Sequence, residues 1–94
     1  MDRYRYVQAL VTQLLDESPL TSEEVIADVR HLMAVGEEAL AFDTMCSWIY
    51  EDSLPITSAY YERITAAAQE LGTPKSVDKL DELIVNELPE SPAS

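Results

Sequence analysis

Ninety-four residues, 47% apolar and carrying 18 acidic against 6 basic side chains for a net charge of −12, suit one globular domain and exclude a disordered chain. The acidic excess repels phosphate backbones and anionic lipid heads, which excludes nucleic acid and membrane surfaces as partners and favours a cationic protein. Taken alone, that charge also serves solubility.

The first apolar pattern is Val7, Leu10, Val11, Leu14 and Leu15, spaced i, i+3, i+4, i+7 and i+8, which predicts a helix from Asp2 to about Asp16. Ser18-Pro19 breaks it. Thr21-Ser22-Glu23-Glu24 then reads as a capping box, with the Thr21 hydroxyl placed to accept from the Glu24 amide. The second helix carries Val25, Ile26, Val29, Leu32 and Met33 as its stripe, and Gly36 ends it because glycine best takes the left-handed turn. Glu37 and Glu38 follow, where negative charge favours the start of a third helix. In that helix Leu40, Ala41, Thr44, Met45, Trp48 and Ile49 share one face, with Glu37, Glu38 and Asp43 pointing mainly elsewhere. Phe42, Cys46 and Tyr50 widen the apolar arc, the mark of a central helix packed on two sides. After Pro55, Thr57 or Ser58 caps a fourth helix with Tyr60, Tyr61, Ile64, Ala67, Ala68 and Leu71 inward, and Gly72 and Pro74 stop it. Ser76 caps a fifth that bears Val77, Leu80, Leu83, Ile84 and Leu88.

No alternating strand pattern interrupts this series, so the fold class is all-α, a small bundle of about five helices. Residues 1–89 form a single helical domain, and 90–94 are too poor in apolar side chains to order as part of it. The expected core is Val7, Leu10, Leu14, Val29, Leu32, Leu40, Met45, Trp48, Ile64 and Leu80. No stretch has the form of a signal segment or a membrane span, so a cytoplasmic protein is expected.

Catalytic patterns are few. The many carboxylates have no spacing that builds an acid–base pair, and no enzyme activity or cofactor is expected. His31 has no His or Cys at ligand spacing and reads as a surface or boundary residue. The single Cys46 sits in an apolar helical pattern, as a small core residue does. Asp52-Ser53-Leu54 matches the attachment tripeptide of acyl carrier proteins, which leaves a carrier using Ser53 as an alternative function, beside a generic helical protein-interaction domain. With Pro55 two residues on, Ser53 more simply occupies a turn. Among the aromatic residues, adjacent Tyr60 and Tyr61 lie about 100° apart around a helix, so only one faces fully inward.

As an ordered string, VRHLMAVGEEALAFDTMCSWIYEDSLPITSAYYERITAAAQELG, residues 29–72, resembles the MafI-like immunity proteins of bacterial toxin systems. The resemblance rests on an apolar helix running into a Gly-Glu pair, an Ala-containing helix, an acidic Glu-Asp end and a Pro-Ile-Thr entry to the next helix. Gly36, Glu37, Ala41, Glu51, Pro55, Ile56 and Thr57 occupy those places. Gly36 and Glu37 act there as helix stop and helix start. The resemblance implies a protein that binds and neutralises a cognate toxin C-terminal domain, commonly a nuclease. A nuclease site is basic in order to hold phosphate, so an anionic partner suits it. The surface expected to meet the toxin comprises Glu24, Asp28, Glu38, Asp43, Glu51 and Asp52.

Overall fold

Every apolar stripe in the chain is too narrow to be covered by its own helix, and the bundle arises by packing these stripes together. The computed structural model describes residues 2–85; the expected tail at 90–94 and Leu88 lie outside them. Four α-helices, α1 (Arg3–Asp16), α2 (Glu23–Ala34), α3 (Glu38–Glu51) and α4 (Ser58–Leu71), precede two 3-10 helices at Pro74–Val77 and Leu80–Leu83. The all-α bundle expected from periodicity is the fold that forms. Extended pairing among the described residues is confined to one parallel bridge, Ile56 with Ile84. There the Ile56 amide donates to the Leu83 carbonyl at 3.1 Å and the Val85 amide to the Ile56 carbonyl at 2.9 Å, fastening the C-terminal segment to the turn before α4.

α3 is the central element, in contact with the other three α-helices and both 3-10 helices. It buries Ala41, Phe42, Met45, Cys46 and Ile49. Around it lie Val7, Val11, Leu14 and Leu15 of α1, Val25, Val29 and Met33 of α2, and Tyr60, Ile64, Ala67 and Ala68 of α4, with Val77 and Leu80 closing the end. Phe42, the largest of the fully buried side chains, alone contributes about 1.5–3 kcal/mol of transfer free energy.

Four expected core residues lie outside this set, two of them at the surface. Leu40 is 49% exposed and Trp48 41% exposed, because the face of α3 that turns inward is centred near Met45 and Ile49 and extends toward Phe42 and Cys46 rather than toward Leu40 and Trp48. Leu10 and Leu32 are only partly buried against the core.

Helix ends follow the side chains present. Ser22, not Thr21, caps α2, its Oγ accepting from the Val25 amide at 3.3 Å. Leu20 is buried just ahead, which leaves Thr21 facing solvent. Thr57 caps α4, accepting from the Tyr60 amide at 3.0 Å. α2, α3 and α4 all end in one hydrogen-bond pattern, in which the residue after the left-handed position donates back five residues: Glu37 to Leu32, Leu54 to Ile49 and Thr73 to Ala68. Gly36 and Gly72 take the left-handed conformation as expected, and Ser53 takes it with φ +51°. The fifth helical segment is a pair of 3-10 turns, and Ser76 lies inside the first rather than capping it. Its hydroxyl donates to Asp43 Oδ1 at 2.7 Å, and the pull of Val77 and Leu80 into the core from so short a segment favours the tighter winding.

Candidate functional site

Burying Ala41, Phe42, Met45, Cys46 and Ile49 fixes what α3 presents outward, since each residue turns the helix by about 100°. The opposite face carries Leu40, Asp43, Thr44, Ser47 and Glu51, with Glu37 and Trp48 at its edge. Leu40, Thr44 and Trp48 follow one another at i, i+4 and i+8 and form a single apolar line flanked by carboxylates.

The six nominated carboxylates do not converge on one patch. Glu24 and Asp28 lie on the exposed side of α2. Glu38 is half-buried, and its Oε2 accepts from the Gln8 side-chain amide at 2.8 Å. The same nitrogen has its other hydrogen for the Met33 carbonyl at 3.0 Å and stands 2.9 Å from the Tyr4 hydroxyl. Glu38 therefore turns toward α1, and its work is to tie α1 to the α2–α3 corner. Asp43 and Glu51 do come together, lining a groove of about 260 Å³ with Ser47, Tyr50, Lys75 and Lys79. Asp52 is exposed beside Glu51 at the end of α3.

The two lysines of that groove are residues that sequence reasoning missed. Lys79 Nζ stands 5.6 Å from the centroid of the Tyr50 ring, a cation–π arrangement. The groove is thus mixed in charge, while the outward face of α3 is acidic and apolar. Three of the four arginines engage elsewhere: Arg3 with Glu70, Arg30 with Asp16 at 3.1 Å and Arg63 with Glu17. All three pairs are solvent-exposed and worth about 0–1 kcal/mol each. Among the described residues, none of these ion pairs engages any of the six nominated carboxylates.

Buried reactive groups are held neutral. Cys46 is 1% exposed, and burial, followed by the negative charge of Asp43, pushes its thiol up to about 12. Such a thiol is a poor nucleophile at neutral pH. Tyr60 is buried and Tyr61 only partly so. Burial, with Cys46 second, raises the Tyr60 hydroxyl above its ordinary range, and that hydroxyl donates to the Leu14 carbonyl at 2.7 Å. His31 is exposed in the last turn of α2. Ser53 lies in the exposed turn that closes α3, the place its sequence neighbours suggest. Among the described residues no group of three His, Cys, Asp or Glu side chains is placed to hold a metal ion. No described helix is long and apolar enough to cross a membrane. What the arrangement offers is contact chemistry on α3.

No protein-family model matches the chain, and no curated protein or solved structure matches it.

Proposed function

We propose that this protein is an immunity protein that binds a cationic toxin domain through α3 and neutralises it by covering its basic surface. One observation carries the reading. Asp43, Glu51 and Asp52, on the exposed side and C-terminal end of α3, form no ion pair among the described residues; although Asp43 accepts from Ser76 and shares a groove with Lys75 and Lys79, the net charge of −12 leaves this end of α3 able to meet an external cation. A nuclease domain fits best, because a site that holds phosphate presents the complementary charge and steering accelerates the encounter. The likeness of residues 29–72 to MafI-like immunity proteins supports the same role.

The test is co-purification with the C-terminal domain of the protein encoded by the adjacent reading frame, together with protection of cells expressing that domain. The complex forms tightly, and its association slows as salt rises. Reversing Asp43, Glu51 and Asp52 together to lysine slows association several-fold, the scale on which steering acts. A complex indifferent to both salt and these reversals removes the acidic surface from the mechanism. Absence of both complex and protection overturns the immunity role.

A further inference from the structure

The apolar line on the outer face of α3 has a shape that charge alone does not explain. Leu40 and Trp48 are 49% and 41% exposed, and at eight residues' separation they stand about 12 Å apart along the helix axis. Thr44, between them, is half-buried. Glu37 lies one turn before Leu40 and Glu51 one turn after Trp48, so carboxylates bracket the line at both ends, and Asp43 flanks it on the groove side. An apolar centre with a charged rim is the anatomy of a protein contact, and exposed Trp is the residue type most enriched among energetically dominant contacts.

We infer that the Leu40–Thr44–Trp48 line anchors a cationic amphipathic segment of the protein partner, its apolar side chains laid along the line and its Lys or Arg side chains against Glu37, Asp43 and Glu51. This rests on the reading of a cationic protein partner and specifies which part of α3 meets it and with what chemistry. Charge complementarity selects this occupant over two others. A second copy would bring the same carboxylates face to face on chains that each carry −12, and an anionic lipid surface would meet the same repulsion.

Trp48 is the only tryptophan in the chain, so its emission reports directly on whether the line is covered. The full-length protein is titrated with a Leu/Lys peptide of about five helical turns that has all its leucines on one face, and with an isomer of the same composition whose leucines are scattered. The amphipathic isomer shifts Trp48 emission to the blue and binds about tenfold or more tighter than the scattered one, the scale of one interfacial anchor. By calorimetry, Leu40→Ser and Trp48→Ala each remove most of that preference while the helical dichroism stays unchanged. Leu40→Ser carries the comparison alone if Trp48→Ala does not fold.

Equal binding of the two isomers, or a preference that survives both substitutions, overturns the inference. So does a blue shift on concentrating the protein by itself with a doubling of mass in light scattering, which would make the line a contact between copies. A complex with the neighbouring-frame domain that leaves Trp48 emission unmoved overturns this docking surface and keeps the immunity role. Peptide discrimination without any such complex keeps the surface and overturns the role.

Discussion

Replacing Tyr60 by Phe deletes one hydroxyl and leaves the ring that packs beside α3. That hydroxyl lies 2.7 Å from the Leu14 carbonyl and 4.0 Å from Met45 Sδ. The reason it matters is the way α1 ends. The last carbonyls of a helix have no amide of the next turn to accept from. Here Gln13 receives the Glu17 amide at 3.0 Å, and the Ser18 amide, which would continue the ladder onto Leu14, goes to Leu15 at 3.1 Å instead. Leu14 is fully buried, and its carbonyl is satisfied from across the core by Tyr60. Removing the donor leaves a desolvated acceptor without a partner, at a cost of about 1–3 kcal/mol. For a domain of this size each kcal/mol lowers the melting temperature by about 4–8 °C, so the midpoint of that range corresponds to a fall of about 8–16 °C. Urea unfolding followed by circular dichroism measures the difference, with Tyr6→Phe as the control. Tyr6 is 45% exposed, and its loss of a hydroxyl stays within about 0.5 kcal/mol of the parent. If Tyr60→Phe also unfolds within that margin, the hydroxyl does not complete the end of α1 and the reasoning fails.

Ser53 holds φ +51° in the turn that closes α3, where a Cβ is disfavoured. Ser53→Gly therefore stabilises the fold by about 0.5–1 kcal/mol after allowing for glycine's greater freedom when unfolded, whereas Ser53→Ala does not, as thermal melts will show. Gln8 joins α1 to the end of α2 and the start of α3 through Met33 and Glu38; Gln8→Ala costs about 1–2 kcal/mol in urea unfolding, and an unchanged midpoint would remove that bridge from the account. Cys46 links stability to alkaline pH. Its thiol ionises at about 12 in the fold against an ordinary 9.0, so its contribution is complete below pH 9 and is lost as pH rises from there toward 12, by about 1.4 kcal/mol per pH unit. Tyr60, also raised, adds loss in the same direction above its ordinary value of 10.0. Cys46→Ala flattens the decline just above pH 9, and an identical slope in parent and variant refutes a neutral buried thiol.

The four α-helices, their order and most of their punctuation were legible from residues alone, because each signal is local. A 3.6-residue apolar period, a hydroxyl three residues ahead of a free amide and a glycine at a left-handed turn all act within a few residues of one another. Thr57, Gly36 and Gly72 accordingly serve where their neighbours predict. The cap of α2 fell on Ser22 instead of Thr21 because burial of Leu20, a tertiary event, chose between two adjacent hydroxyls. The last segment wound into 3-10 turns for a similar reason, with Val77 and Leu80 drawn to a core already in place.

The orientation of α3 was decided by tertiary structure alone. Its sequence, EALAFDTMCSWIYE, is apolar over so much of its circumference that two overlapping arcs meet the helical period equally well. One runs through Leu40, Met45 and Trp48, the other through Ala41, Phe42, Met45, Cys46 and Ile49. Periodicity measures the width of an apolar face but not which part of a wide one is covered. Packing against α1, α2, α4 and the C-terminal turns chose the second arc, which left Leu40 and Trp48 at the surface. The same rotation turned Glu38 toward Gln8 and set Asp43 and Glu51 on one groove with Lys75 and Lys79, side chains from a segment more than twenty residues further along the chain. Charge can be counted from composition, but the neighbours that compensate or isolate each carboxylate exist only once the helices have packed.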